Sequence, residues 1–404
     1  MDDRAPRQDG RKRGGARRPG TPRRRGVRLG RVLGIPVYLS ASWLILAVLI
    51  VIVYSDTVRA SLPALPEGLV YVVAFSFVVT LCLSVFLHEL GHALTSRHYG
   101  IGVRGITLEM LGGYTEMEEE APRPGVEAKV ALAGPAVSLV LGGIGVALVI
   151  MLPGGNLGHE LAFQFAVSNI IVAVFNALPG LPLDGGRALR ALVWSVRGDK
   201  HVATRVAGYT GRIVAALTLL AGVWLFYASG ASSIVSLLFT GMVAMVLWAG
   251  AGQAIRVGEV GGRIHLLTVA DLIRPVTSVP TGTPLSEALR RAEETAAMGV
   301  LVVDSSDRPV ALMHGHAARQ VPLDRRPWVT VDAVSRDLEP GAALGPEMRG
   351  EQIINAIRAR PSTEYVVMSE GEVRGVVVAA DIARVLDPRT IRRPYPTSDN
   401  GAPS

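Results

Sequence analysis

The stretch LSVFLHELGHALTSRHYG, residues 83–100, carries the motif HELGH at 88–92 near the end of a long apolar run. Residues four apart share one face of a helix, so His88 and His92 can direct ring nitrogens at a single metal ion. Glu89 lies about 100° further round the helix, where a carboxylate can take a proton from a water that the metal activates. The motif therefore predicts a hydrolytic metal site with Glu89 as its acid/base.

The same motif has a simpler interpretation, in which two histidines at a polar helix end face lipid headgroups. The apolar residues before the motif favour the metal site, because ionisable groups inside a membrane helix are costly and usually functional.

The composition is typical of a membrane protein. Hydrophobic residues make up 49% of the 404 residues and charged residues only 19%. Six apolar runs are candidates to cross a bilayer; five are clear from length alone and the fourth is ambiguous. They cover residues 36–54, 68–95, 129–152, 161–180, 207–227 and 233–254. We therefore expect an all-α polytopic membrane domain of six transmembrane helices over 33–256.

Basic residues alternate between the loops that join these runs. The loops at 55–67, 153–160 and 228–232 contain a single arginine in total, whereas those at 96–128 and 185–206 contain three and five Lys or Arg residues. Basic loops stay in the cytoplasm. The pattern predicts a multi-pass membrane protein, with both termini and the HELGH motif on the cytoplasmic side.

Both ends of the chain are predicted to be disordered. Residues 1–32 hold twelve Arg or Lys against three Asp, a net of +9, so the remainder sums to about −2 (7 − 9). Such a tail could bind nucleic acid or anionic lipid. A membrane span follows the tail directly, which favours a topogenic role: the basic residues anchor the N-terminus on the cytoplasmic side of the bilayer. No direct nucleic-acid partner is therefore expected. Residues 389–404 are rich in Pro, Ser and Asn.

A second motif supplies a candidate for the third metal ligand that catalytic zinc sites usually have. In FNALPGLPLDGGRALRALVW, residues 175–194, Asp184 is the only acidic residue between 161 and 198. It follows a helix broken by proline and glycine, and broken helices at membrane depth are tolerated where they line a polar cavity. Asp184 could alternatively cap the helix that begins near Arg187.

Together the two motifs resemble those of the site-2 proteases, zinc intramembrane metalloproteases with HExxH in one span and N-x-x-P…D-G in a later one. Here they read HELGH at 88–92 and NALPGLPLDG at 176–185. The resemblance implies one Zn²⁺ per chain, held by the two motif histidines and Asp184, with Glu89 as the catalytic acid/base.

Two further segments resemble parts of the same family. MLGGYTEME at 110–118 resembles a Gly-Gly hairpin near the substrate path, which implies substrate binding at Gly112 and Gly113; its Tyr and acidic residues fit less well. LAGPAVSLVLGG at 132–143 resembles the small-residue span between the motifs, and its small residues also permit close helix packing. Asn176 could bind an unwound substrate backbone or cap carbonyls of the broken helix.

The last third of the chain, 257–388, has the composition of a soluble α/β domain. Two stretches, 283–321 and 349–386, share the order helix, strand, turn, strand, helix. The repeat resembles a pair of CBS domains, at about 266–322 and 329–388. Such pairs often bind adenosine nucleotides.

Asp381 stands where CBS domains often place a ribose-binding aspartate, whereas the first repeat reads HGHAAR at 314–319 and lacks it. The alternative to nucleotide binding is a module for homodimerisation or docking. His314 and His316 are better read as solvated loop histidines than as metal ligands.

The resemblance extends from about residue 30 to 388 and points to the bacterial site-2 proteases that carry C-terminal CBS domains. It implies an intramembrane endopeptidase, regulated by its CBS domains, that cuts a single-pass membrane-tethered regulator such as an anti-sigma or pro-sigma factor. Two alternatives remain: a CBS-regulated transporter, since intramembrane Asp and His beside a broken helix also suit transport, and an inactive homologue that binds client helices.

Overall fold

The computed structural model describes residues 26–109, 112–228, 234–338 and 343–389. The chain forms two compact units. Unit 1 contains the chain up to Pro179 together with Leu183–Ala188, and unit 2 contains Gly180–Pro182 and the chain from Leu189 onward. The last two long apolar helices therefore group with the C-terminal domain. The sequence analysis instead predicts a domain boundary after residue 256, which groups these helices with the other spans.

Unit 1 holds, among its described residues, a four-stranded sheet and four long helices. In chain order these are β1 Val27–Val32, β2 Ile35–Leu39, α1 Ser42–Ser61, α2 Glu67–His98, β3 Val103–Glu109, β4 Gly112–Met117, α3 Pro124–Met151 and α4 Leu157–Ala177. The next helix, α5, covers Asp184–Arg197.

Unit 2 contributes the two remaining long apolar helices, α6 Lys200–Ala228 and α7 Ile234–Gly261. With α1 to α4, they make six helices long and apolar enough to cross a membrane, which confirms the six predicted spans. The protein is thus a multi-pass membrane protein. Its first span begins at Ser42 and not at 36, because Ile35–Leu39 is an extended strand.

The sheet of unit 1 was missed by the sequence analysis apart from its last hairpin. Its strand order is β1-β2-β3-β4, with β2 and β3 parallel and the other pairs antiparallel. β1 also corrects the predicted disorder of residues 1–32, because 27–32 pair with β2 through backbone hydrogen bonds. Residues 1–25, like 390–404, lie outside the described residues.

Glycines allow the helices around the HELGH motif to approach closely. A Cβ at Gly91 in α2 would lie 3.0 Å from a methyl carbon of Val137 in α3. A Cβ at Gly142 would lie 3.0 Å from the Ile170 side chain in α4. The small residues of α3 therefore permit close packing against both neighbours.

The C-terminal part of unit 2 contains two repeats, as the sequence predicts. Its elements are α8 Val269–Leu272, β5 Val276–Pro280, α9 Leu285–Glu294, β6 Gly299–Val303, β7 Pro309–Met313, α10 Gly315–Gln320, β8 Ser335–Asp337, α11 Glu351–Ala359, β9 Glu364–Ser369, β10 Glu372–Val378 and α12 Ala379–Leu386. The first repeat runs α9-β6-β7-α10 and the second α11-β9-β10-α12, the order expected of a CBS pair.

Each repeat has its own apolar core, and a third cluster joins them. Leu301 and Leu312 of the first repeat pack with Val366 and Val376 of the second. The strand β5 pairs in parallel with β6, and Arg274, just before it, forms two backbone hydrogen bonds with Val376. The predicted class, a polytopic helical membrane domain followed by an α/β CBS pair, is confirmed, with the sheet of unit 1 as an addition.

Candidate metal centre

The structure brings together the three residues predicted to bind metal. His88 and His92 lie one turn apart in α2, each 2% exposed, and Asp184 is the first residue of α5. Oδ2 of Asp184 lies 2.9 Å from Nε2 of His88 and 3.0 Å from Nε2 of His92. The two Nε2 atoms are 3.2 Å apart. Three atoms with lone pairs thus converge on one point, as a metal ion requires.

Helix α3 orients both imidazole rings. Nδ1 of His92 lies 2.7 Å from the carbonyl oxygen of Val130, which can only accept a hydrogen bond. In the neutral ring the hydrogen is therefore on Nδ1, and the lone pair of Nε2 faces Asp184. Nδ1 of His88 lies 3.0 Å from Oγ of Ser138, which can hold that ring in the same way.

Gly134 keeps the space in front of the two rings open. A Cβ at this position of α3 would lie 2.7 Å from Nε2 of His88 and would collide with Nε2 of His92. Two imidazoles and one carboxylate are a donor set that suits Zn²⁺ and leaves a further position for substrate or water. Among the described residues, this is the one group of three or more His, Cys, Asp or Glu side chains close enough to hold a metal.

Glu89 is buried beside this group, under strand β4. Its side chain accepts a hydrogen bond from Oγ1 of Thr115, at 2.7 Å from Oε2. A Cβ at Gly113 would lie 2.7 Å from Cγ of Glu89, so glycine lets the β4 backbone cover the carboxylate. Gly112 has φ +136°, a conformation that residues with a Cβ rarely adopt. The structure thus places Gly113, one of the two predicted glycines, next to the predicted acid/base.

The alternatives for Asp184 and Asn176 can be compared with the structure. α5 begins at Asp184 itself, and the carboxylate contacts the two histidines instead of capping a helix that starts near Arg187. Nδ2 of Asn176 donates to the carbonyl of Val172, one turn earlier in α4. Asn176 therefore holds a helix carbonyl, and substrate binding by this residue stays a prediction.

Sequence reasoning missed the residues that support the site. Ser138, Gly134 and the carbonyl of Val130 all come from α3, and Thr115 comes from β4. Gly134 and Ser138 are spaced four apart in the small-residue stretch, so a shared helix face toward the motif was the available signal.

Asp381 lies elsewhere, in unit 2. Its carboxylate is 7% exposed and forms a two-point ion pair with Arg274, at 2.6 and 2.7 Å. Arg384 also donates to it, at 2.9 Å. Both oxygens therefore already have cationic partners, and nucleotide binding at this aspartate stays a prediction. Nδ1 of His314 accepts from the backbone N–H of Ala317 at the start of α10.

Comparison with known proteins agrees with the geometry of the metal group. The model of the family "Peptidase family M50" matches residues 76–166 and 157–221, which include both motifs. Over these residues the chain is similar to peptidase family M50. Zinc is the metal that this family implies.

Several relatives match this chain over most of its length. Rip3 of Mycobacterium tuberculosis is 29% identical over 92% of this chain and 95% of its own sequence. A zinc metalloprotease of Methanocaldococcus jannaschii is 29% identical over 62% of this chain and 66% of its own. Among solved structures, a site-2 protease from Methanocaldococcus jannaschii matches with 26% identity and a TM-score of 0.43, covering 57% of this chain and 95% of that chain.

Proposed function

We propose that this protein is an intramembrane zinc endopeptidase that cuts a peptide bond in or near the transmembrane segment of a membrane protein. The observation that carries the proposal is the convergence of His88, His92 and Asp184 inside the helical part of unit 1, with Glu89 buried next to them. In this proposal the three converging residues hold Zn²⁺. When bound, the ion supplies a Lewis acid that polarises the scissile carbonyl and makes water more acidic.

Glu89 moves the proton in this mechanism. Oε2 is engaged by the Thr115 hydroxyl, which leaves Oε1 to accept a proton from the attacking water. The water oxygen bonds to the carbonyl carbon, the C–N bond breaks, and Glu89 returns the proton to the leaving amine nitrogen. Thr115 acts as a positioning residue, because its hydroxyl holds the carboxylate of Glu89.

Strand β4 provides a place for an unwound substrate. A helical peptide bond is shielded by its own hydrogen bonds and must become extended before water can reach it. β4 is an edge strand of its sheet; it begins with Gly112 and carries Gly113 beside Glu89. An extended substrate segment that pairs with this edge would lie next to the acid/base, which supports the assignment of the glycine pair to substrate binding.

The remaining functional assignments follow from the loop charges and the family resemblance. We place the protein in the bacterial cell membrane with both termini in the cytoplasm, because the Lys- and Arg-rich loops lie on one side. The substrate would be a single-pass, membrane-tethered regulator, such as an anti-sigma or pro-sigma factor. The CBS pair would regulate cleavage, through an adenosine nucleotide or through homodimerisation.

The test compares two glutamate substitutions in cells. Glu89→Gln removes the proton acceptor, whereas Glu160→Gln changes another buried membrane glutamate that lies outside the metal group and is 4% exposed. Quantitative membrane proteomics should show a single-pass precursor accumulating in Glu89→Gln only, while wild type contains fragments ending inside its span.

Zinc analysis of the purified proteins separates the outcomes. Wild type and both variants should carry one zinc per chain. Zinc in all three without any accumulating precursor, across several stress conditions, would contradict the endopeptidase and favour the client-binding homologue. Absence of zinc from the wild type would contradict the metal assignment itself.

A further inference from the structure

An arginine lies well inside the membrane-spanning helix α6. Arg212 follows the first residue, Lys200, by twelve positions, or roughly 18 Å of helix. Charged side chains at such a depth are costly and normally have a specific partner. The guanidinium lies 5.1 Å from the ring centroid of Trp248 in α7. Its Nε is buried and has no hydrogen-bond partner among the described residues, so this cation has an aromatic neighbour but no anion.

Arg212 lines a pocket between α6 and α7, here named the α6/α7 pocket, with a volume of about 560 Å³. The side that α7 contributes consists of residues spaced along one helix face. They are Trp248, Ala249, Gly252, Gln253, Ile255, Arg256 and Glu259. The guanidinium lies close to α7, because a Cβ at Gly252 would be in van der Waals contact with Nη2 of Arg212, at 3.5 Å.

The α6/α7 pocket has an excess of positive charge. Arg212, Arg256 and Arg389 line it, against the single carboxylate of Glu259, a formal net of +2 (3 − 1). Glu259 is itself paired with Arg389, at 3.0 Å. In the part of the chain that the structure describes, Arg212 and Arg256 therefore have no carboxylate partner. A ligand with negative charge would satisfy both.

The pocket also lies where a lipid headgroup would be. Arg256 is five residues before the end of α7 at Gly261, at the edge of a membrane span. Tyr209 and Trp248 beside it are 53% and 50% exposed, and such aromatic side chains prefer the headgroup level of a bilayer. We propose that the α6/α7 pocket binds the phosphate of an anionic phospholipid, with Arg212 and Arg256 as its cationic ligands. Basic pockets between membrane helices are typical sites for such headgroups.

The proposal is tested by binding, independently of peptidase activity. The full chain is purified in detergent and stripped of lipid. Its thermal unfolding midpoint, Tm, is then measured with dioctanoyl phosphatidylglycerol, with dioctanoyl phosphatidylcholine or with inorganic phosphate. Phosphatidylglycerol should raise Tm in a saturable way, and the other two should not. Native mass spectrometry should show one retained phosphatidylglycerol per chain.

Three variants locate the site. Arg212→Gln and Arg256→Gln should each weaken phosphatidylglycerol binding at least tenfold. Arg256 is exposed at the rim, so its variant carries the test if Arg212→Gln fails to fold. Arg263→Gln is the matched control: it removes the same charge two residues after α7 and outside the pocket, and it should bind like wild type.

Two results would overturn the proposal: equal stabilisation by phosphatidylcholine, or equal binding by wild type and Arg256→Gln. Protection by inorganic phosphate that is lost in Arg256→Gln would support the anion site but identify free phosphate as its source in place of a lipid.

Discussion

Two buried polar clusters in unit 1 differ in one respect that bears on function. The metal cluster is His88, His92 and Asp184; the tyrosine cluster is Tyr54, Ser76, Glu160 and Gln164. Both are built mainly from residues of membrane-spanning helices. They differ in whether each acceptor meets a donor from the protein.

Each hydrogen bond of the tyrosine cluster pairs a donor with an acceptor from the protein. Tyr54 donates to Oε1 of Glu160 at 2.6 Å, and Ser76 donates to Oε1 of Gln164 at 2.7 Å. Nε2 of Gln164 donates in turn to the carbonyl of Val73 and to Glu160. Donors and acceptors alternate, as buried polar groups in membrane proteins require. Such a network stabilises helix packing and needs no ligand.

The metal cluster has acceptors facing acceptors. With the hydrogen of His92 directed at Val130, its Nε2 offers a lone pair to a carboxylate oxygen at 3.0 Å. Only a cation or an added proton makes that arrangement favourable. The α6/α7 pocket shows the opposite imbalance, because Arg212 and Arg256 have no carboxylate partner among the residues that the structure describes. Acceptors without donors, or cations without anions, indicate a ligand site more specifically than burial or polarity alone.

The functional difference between the two clusters is tested most directly by changing one carboxylate to an amide in each. Asp184→Asn should lower zinc affinity by more than 100-fold and abolish peptidase activity, because a neutral amide is a poor zinc ligand. Glu160→Gln should keep one zinc per chain. Metal analysis by mass spectrometry after dialysis against a weak chelator measures both. Equal zinc loss in the two variants would mean that the clusters are not functionally distinct.

Gly134 tests whether space in front of the rings is required. Gly134→Ala places a methyl group against Nε2 of both histidines, so we expect zinc affinity to fall about 10- to 100-fold, the range seen when groups supporting a metal site are altered. Gly143→Ala is the matched control on the same helix, since a Cβ there has no neighbour within 4 Å. Unchanged zinc binding in Gly134→Ala would contradict the assignment of this space to the metal.

Which parts of this picture can be predicted from sequence depends on the range of the interactions. The six spans and the His88–His92 pair follow from local patterns, apolar length and i,i+4 spacing. Asp184 needed the broken-helix motif as well. The sheet of unit 1 was missed because β2 and β3 are separated in sequence by two membrane-spanning helices, α1 and α2, although Val37 lies opposite Ile106. Pairing at that distance leaves no local signal.

The residues that orient the metal-binding histidines also could not be predicted from the sequence, for a physical reason. Ser138 and Val130 become partners of the histidines only through the packing of α3 on α2, which depends on Gly91. Disorder was predicted for residues 1–32 on composition, and β1 at its end forms because β2 supplies a hydrogen-bonding partner. Composition alone does not report such a partner.

Substitutions at Thr115 separate metal binding from proton transfer experimentally. Thr115→Val removes the donor to Oε2 of Glu89 with little change in volume. We expect kcat to fall about 10-fold, the effect of losing one hydrogen bond to a charged group, with zinc content and KM little changed. Thr115→Ser should restore most of the rate. A loss of zinc in Thr115→Val, or no rescue by serine, would assign Thr115 a structural role instead.

The smallest effect is expected in the tyrosine cluster. Tyr54→Phe removes the hydroxyl that Glu160 accepts from and leaves a buried carboxylate with one donor fewer. Unfolding free energy, measured by denaturant titration in detergent, should fall by about 1–2 kcal/mol. Zinc content and kcat should stay at wild-type values, because this cluster shares no residue with the metal cluster.

Tyr71→Phe is the matched control for that measurement. The Tyr71 hydroxyl accepts from Arg59 on the exposed surface, and its loss should change the unfolding free energy by less than about 0.5 kcal/mol. If Tyr54→Phe lowered zinc content or kcat while Tyr71→Phe did not, the two buried clusters would be coupled through α2, which carries both Ser76 and the motif histidines. The hydrogen bonds of the tyrosine cluster would then contribute to catalysis, as the hydrogen bond from Thr115 to Glu89 does.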